Sequence, residues 1–548
     1  MGAGGCGALR GRADGWMVVS DAPILLAMSL TRRHLLASGL AAAGCAASPG
    51  KPGKRVDDTG TSSVGSDTGD RRETTAPSTP SGPPNILYIY LDQIRWDTLG
   101  CAGHPVVLTP HIDALAAEGV RFSRCYTNSP LCMPARAVMT TGRLPGVTGV
   151  VDNLSHIRPS GPSHVRRMAD AGYSTGVVGK VHLLGRPGHK DGNLGAMAQL
   201  GYTHAVETAG ARKSAEEPSR YTDWLSATSR GPTDKYARYI DYIEEYLEGP
   251  HASGVWLTEG FDEAGFRLAD HLDAFIARRA RALIGRAHGS SPWYLQVNFV
   301  GPHPPWDATS AFRGLYDAAD PRLPVPADRD PVTVTPLVQR VLDGRALPRT
   351  EEQKRETLVR YYARISMVDQ FVGEVMASLR ASGQDANTWV ILHADHGEQA
   401  GEKNLVGKMV FFEPSVRVPL VIRPPGGVDP WVSSALCDQL DVTQTILDLG
   451  GAPLASDGVR SLVSTVLAGP SDPAAHTGKA AVISQVHSGS MVVMDTLKVT
   501  FDDDEATEVY DLDADPGEWD NQVAAEGRAA DLAGARDILA AAMADAES

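Results

Sequence analysis

The chain of 548 residues is long enough to bury a large core and to hold one large domain with a smaller partner. Its formal net charge of −15 argues against a nucleic-acid binder, which needs clustered Lys and Arg to neutralise phosphates, yet leaves an anionic small substrate open, because a site can be locally basic on an acidic protein. Six cysteines, at 6, 45, 101, 125, 132 and 437, show no metal-ligand spacing, and no disulfide is assigned.

Residues 1–45 read as a leader. A twin-arginine start, Thr31-Arg32-Arg33-His34, precedes a modest apolar run and the small-residue string Ala41-Ala42-Ala43-Gly44-Cys45, of the bacterial lipobox type. The run is too short to span a membrane. Cys45 is therefore a candidate for lipidation, and Met28 a candidate true start. The expectation is an exported, periplasmic or cell-surface lipoprotein, moved by the twin-arginine machinery and touching the membrane only through its lipid. Residues 46–83, rich in Ser, Thr, Gly, Pro and Asp, read as a disordered tether.

Asn85 to Leu91 is a nearly continuous apolar and aromatic run, the pattern of a strand buried on both faces of a parallel sheet, and it ends in Asp92-Gln93. Ligands gather at the carboxyl ends of such strands, so these two are metal-ligand candidates, although Asp after a strand is also an ordinary turn former. Thr109 to Gly119 is a capped packing helix. In Leu131-Cys132-Met133-Pro134-Ala135-Arg136 and on to Thr141-Gly142-Arg143, Pro134 suits the first position of a short helix and Gly142 the residue past its end. Cys132 then stands at the helix mouth, where free N–H groups favour an anion, with the Arg136 guanidinium on the same face. A lone cysteine there is otherwise a small buried hydrophobe.

A helix over about 163–171 leads to a strand over 173–179 and then to Lys180-Val181-His182, whose alternation puts Lys180 and His182 on one side of an extended segment. Residues 186–260 read as irregular, with Tyr202, Trp224, Tyr236, Tyr239, Tyr242 and Trp256 either stacking on a substrate or, for the tyrosines spaced by three, packing one helix face. A helix is expected over 261–286 and a strand over 292–300. At that strand's exit prolines bracket His303 in a rigid loop, a mount for a catalytic group or simply a turn. After a helix over 351–380, the strand 388–393 runs into Asp395-His396, a second strand exit bearing ligand types. Lys408 follows nearby, and 416–423 and the helix 439–449 complete a domain over 84–454. Residues 455–548, with strands at 481–484 and 491–501 and a helix over 528–543, read as a smaller α+β subdomain.

The string Cys-x-Pro-Ala-Arg followed by Thr141-Gly142-Arg143-Leu144-Pro145 resembles the signature of the formylglycine-dependent sulfatases. The resemblance runs from about Pro84 to the end. It implies an alkaline-phosphatase-like α/β fold, a large α/β/α domain with a mostly parallel sheet, and hydrolysis of sulfate esters. It further implies that a maturation enzyme oxidises Cys132 to formylglycine, whose hydrate is the nucleophile. Asp92, Gln93, Asp395 and His396 would hold one divalent cation together with residue 132. The catalytic set would be Cys132, Arg136, Lys180, His182, His303 and Lys408, of which Lys180, His303 and Lys408 touch the substrate, a sulfated small molecule or carbohydrate.

Two departures from the commonest pattern stand out: Gln93 where many members have Asp, and His396 where many have Asn. Calcium is the first expectation for the ion, with manganese or magnesium as alternatives. The rival activities are phosphonate or phosphate-ester hydrolysis, which suits the same nucleophile and metal, and non-catalytic binding of sulfated glycans.

Overall fold

The computed structural model describes residues 82–544 apart from 185–192, 231–233, 249–259, 287–290, 318–320, 322–333, 345–349 and 455–457. The leader, the tether to residue 81, Cys45 and Trp256 thus lie outside the described residues. An eight-stranded sheet is built from β1 (Asn85–Asp92), β2 (Val120–Phe122), β4 (Ser174–Lys180), β5 (His204–Thr208), β6 (Trp293–Pro302), β7 (Thr388–Ala394), β8 (Leu420–Arg423) and β9 (Trp431–Ser433), while β3 (Cys125–Tyr126) pairs separately with β10 (Cys437–Asp438). Spatial order is β5-β4-β6-β1-β7-β8-β2-β9. The first five run parallel, and only β8 is antiparallel to its neighbours.

Every residue of β1, β6 and β7 is buried. A sheet covered on both faces needs no polar alternation, which is why these strands read as continuous apolar runs. Two groups of helices supply the cover. One comprises α1 (Pro110–Ala116), α4 (Leu272–Arg286) and α5 (Glu351–Ala381), the other α2 (Cys132–Thr141), α3 (His164–Asp170) and α6 (Gln439–Leu449). Helix α5 starts with a capping box between Thr350 and Gln353, and α6 starts on the Asp438 side chain, so both boundaries were legible in sequence.

Four expectations need correction. Helix α2 begins at Cys132, with Leu131 extended before it, so Pro134 sits third rather than first; Gly142 does close it, in the left-handed conformation. Among its described residues the stretch read as irregular holds five elements, Leu194–Leu200, β5, Ala211–Glu216, Arg220–Ala227 and Lys235–Glu248. Its Tyr202, Tyr239 and Tyr242 are buried, the packing alternative. The helix expected from 261 starts only at Leu272, because the Arg267–Asp270 pairing closes a separate turn first. The strand expected over 491–501 is a hairpin, β12 (Gly489–Met494) and β13 (Leu497–Asp502), turning through Asp495 at φ 48°. With β11 (Ala481–Val486) and β14 (Glu505–Asp511) they form a four-stranded antiparallel sheet, followed by α7 (Ala529–Ala544).

Candidate active site

Four adjacent parallel strands in the order β4-β6-β1-β7 end on one edge of the sheet. Each delivers chemistry there: β4 ends in Lys180, β6 runs into His303, β1 ends in Asp92 with Gln93 next, and β7 runs into Asp395 and His396. Residues far apart in sequence meet because the topology stacks these carboxyl ends side by side. Two glycines permit the close approach. A Cβ on Gly179, which precedes Lys180 at φ +104°, would lie 2.0 Å from the Asn298 carbonyl oxygen, and one on Gly397, after His396, 1.9 Å from that of Pro414.

Helix α2 points its first turn at this edge. Asn153 Oδ1 accepts from the Met133 N–H at 3.0 Å, and Cys132, 1% exposed, places Sγ among the converging groups. Lys408 Nζ lies 3.0 Å from the sulfur, His396 Nε2 3.1 Å and Asp92 Oδ1 3.8 Å, with the His182 and His303 rings also near enough to act on the thiol's charge. Burial pushes the thiol's pKa up, but Lys180, Lys408 and His396 outweigh it and leave it well below the ordinary value.

Arg136, one turn along α2, does not face an anion site as its position suggested. Its Nε donates to Asp395 Oδ2 at 3.0 Å, its Nη2 to Asp92 Oδ2 at 3.1 Å and its Nη1 to the Lys180 carbonyl, with the guanidinium 4.9 Å from the Tyr90 ring centroid. The fork thus braces two buried carboxylates at once. Lys180 Nζ also pairs with Asp92. Burial and the thiol raise the Asp92 pKa, but Lys180, His303 and Arg136 hold it well below the usual carboxylate range. Burial lowers both histidines, with Lys408 and Lys180 adding to it at His303 and Lys180 at His182.

Ligand atoms of Asp92, Cys132, Asp395 and His396 all lie within 4.8 Å of one another. The donor set fits a cation. His396 Nδ1 lies 2.9 Å from the Gly397 carbonyl oxygen, which can only accept, so Nδ1 carries a proton and Nε2 is the nitrogen turned to the cluster. Gln93, the fifth predicted donor, lies at the edge. Its amide oxygen accepts from Lys408 Nζ and its NH2 donates to Glu398. Its backbone is left-handed at φ 66° and is held there by Asp395 Oδ1, which accepts from its N–H at 3.0 Å, and by the Tyr361 hydroxyl, which donates to its carbonyl at 2.9 Å.

A sulfatase family profile matches residues 84–452, two thirds of the chain. The chain belongs to the sulfatase family. This sulfatase is 32% identical to the choline-sulfatase of Rhizobium meliloti over 402 residues, covering 70% of the chain and 72% of that protein. It is 27% identical to an arylsulfatase of Clostridium perfringens over 380 residues, 67% of the chain and 74% of the relative. In fold it is similar to the phosphonate monoester hydrolase of Agrobacterium radiobacter, at TM-score 0.67 and 24% identity, with 84% of the chain and 96% of that structure covered.

Sequence reasoning missed the residues that hold this sulfatase's site in place. Behind His303, Asp273 accepts from the N–H groups of Val300 and Gly301 and pairs with Arg364, whose Nε lies 3.0 Å from Asp307 Oδ1. Beyond Lys408, the fully buried Lys498 of β13 bonds the Phe411 carbonyl at 2.9 Å and pairs with Glu413 and Glu518, each at 2.7 Å. A buried charge flanked by apolar neighbours has no signature in a single sequence, because its partner lies tens of residues away.

Proposed function

We propose that this sulfatase hydrolyses a sulfate ester of a small molecule or carbohydrate using Cys132 matured to formylglycine and one divalent cation held by Asp92, Gln93, Asp395 and His396. What carries the reading is the convergence on one sulfur atom of two ammonium groups, two histidines and a carboxylate–imidazole cluster, at the mouth of α2. The aldehyde would supply an oxygen nucleophile and the cation a Lewis acid, calcium being the first candidate and manganese or magnesium the alternatives.

The chain's own residues do the rest. Lys180 and Lys408 offer fixed ammonium groups to the oxygens of a bound sulfate in a water-poor site, where such charges act most strongly. His303 Nδ1 donates to the Pro304 carbonyl at 2.7 Å, which leaves Nε2 as the nitrogen that carries a proton to the departing alcohol. A ring whose pKa is lowered gives that proton up readily. His182, whose buried Nδ1 has no hydrogen-bond partner among the described residues, is the base that would take a proton from residue 132 and so reset the site. Arg136 keeps both acidic side chains aimed.

Phosphonate or phosphate-ester hydrolysis is the second reading, favoured by two lysines beside a set containing only two carboxylates and a neutral Gln93. Rates on matched nitrophenyl sulfate and phosphonate esters distinguish the two, and a hundredfold preference for the phosphonate would overturn the first. Cys132→Ala is expected to abolish turnover on either ester, and Cys132→Ser to fail in a host that cannot oxidise serine. Full rates from either variant would remove residue 132 from the chemistry.

A further inference from the structure

Glu398 is fully buried two residues past His396 and faces three donors. Its Oε1 accepts from the N–H groups of Ala400, at 2.9 Å, and Gly407, and its Oε2 accepts from Gln93 Nε2. The backbone donors are fixed by the chain, so Oε1 has no freedom to turn away. Across the Gln93 amide stands Lys408 Nζ, a donor to Oε1 of Gln93 and to the sulfur of Cys132.

An amide is asymmetric, and only its neighbours decide which way round it sits. A carboxylate can only accept and an ammonium can only donate. Between Glu398 and Lys408 one orientation of Gln93 therefore satisfies both neighbours. We propose that Glu398 is a positioning residue that locks the Gln93 amide with its oxygen turned to Lys408 and the cation side and its NH2 turned away. This rests on the reading of Gln93 as a cation ligand only for the cation's part; the lock on Lys408 follows from the contacts themselves.

The proposal makes an asymmetric prediction about charge-neutral swaps. In Glu398→Gln, the two backbone N–H groups keep the new amide oxygen, so its NH2 faces Gln93 and turns that amide over, putting a donor against Lys408 and the cation. In Gln93→Glu alone, two carboxylates oppose each other. In the double variant, the NH2 of residue 398 donates to the carboxylate at 93, which again offers an acceptor to Lys408.

The test is a double-mutant cycle on the full chain. Melting temperature in excess EDTA reads the lock without any cation, and calcium affinity by equilibrium dialysis with elemental analysis reads its effect on the ion. Glu398→Gln is expected to lower the melting temperature and weaken calcium at least tenfold when residue 93 is Gln, and to raise both when residue 93 is Glu. That reversal of sign is something a merely space-filling Glu398 would not produce. The same sign in both backgrounds overturns the proposal. Wild-type protein that holds no stoichiometric cation overturns the metal reading instead, while a sign reversal in the EDTA melts would still support the lock.

Discussion

Arg136 offers the sharpest test of how the site is held together, because one side chain neutralises two buried acids. Replacement by Met keeps the length of the stem and removes the guanidinium. Asp92 retains Lys180, but Asp395 Oδ2 loses its contacts with Nε at 3.0 Å and Nη2 at 2.9 Å, and the Lys180 carbonyl loses a donor. Asp395 Oδ1 stays bonded to the N–H groups of Gln93 and His396. Leaving one member of a buried ion pair uncompensated costs about 3–5 kcal/mol. Charge-assisted bonds of about 1.5–3 kcal/mol each would sum to more, but they share one group and are not additive. Arg136→Met is therefore expected to lose about 3–5 kcal/mol of unfolding free energy in EDTA, and less in excess calcium, because a bound cation replaces part of the missing positive charge. Arg136→Lys should fall between, having the charge without the fork. Guanidinium titrations followed by tryptophan fluorescence, with and without calcium, measure both. A loss below about 1 kcal/mol in EDTA would refute the reasoning.

Two further outcomes follow. His164 is buried, with Nδ1 3.3 Å from the Thr140 carbonyl oxygen and Nε2 2.9 Å from the Tyr294 hydroxyl, and burial lowers its pKa from 6.5 to about 4. The unfolded chain then binds a proton before the folded one, so this stability is present above pH 6.5 and is lost as pH falls towards 4, by about 3 kcal/mol in all. His164→Gln should lack that part of the acid limb in pH-dependent melts, and an unchanged limb would show the ring to be protonated when folded. In the leader, Arg32→Lys with Arg33→Lys is expected to retain enzyme inside the cell with residue 132 already an aldehyde, while Cys45→Ala should leave it active but unanchored. Mass spectrometry of the peptide containing residue 132 checks the order, and an unmodified thiol in the retained protein would refute it.

How much of this was legible beforehand depends on the range of the interaction involved. Helix α5 and helix α6 were read to within a residue because capping and periodicity are local, whereas β12 and β13 merged into one strand because a two-residue turn through Asp495 and Thr496 carries neither Gly nor Pro. The tract over 186–260 looked irregular because three of its described helices run only six to eight residues and its apolar residues are spread among Arg and Asp. The sequence by itself determined the parallel-sheet class, from runs such as Asn85–Leu91, and offered Asp92, Cys132, Lys180, His303 and Asp395 as site candidates, because each follows or opens a recognisable element and matches the sulfatase pattern. It could not determine which of these share a contact. That Arg136 braces acids instead of an anion, that Gln93 is turned by Glu398, and that Lys498 steadies the segment after Lys408 were decided only by tertiary structure, since a buried polar group is defined by its partner and every one of these partners is brought in by a different strand or loop.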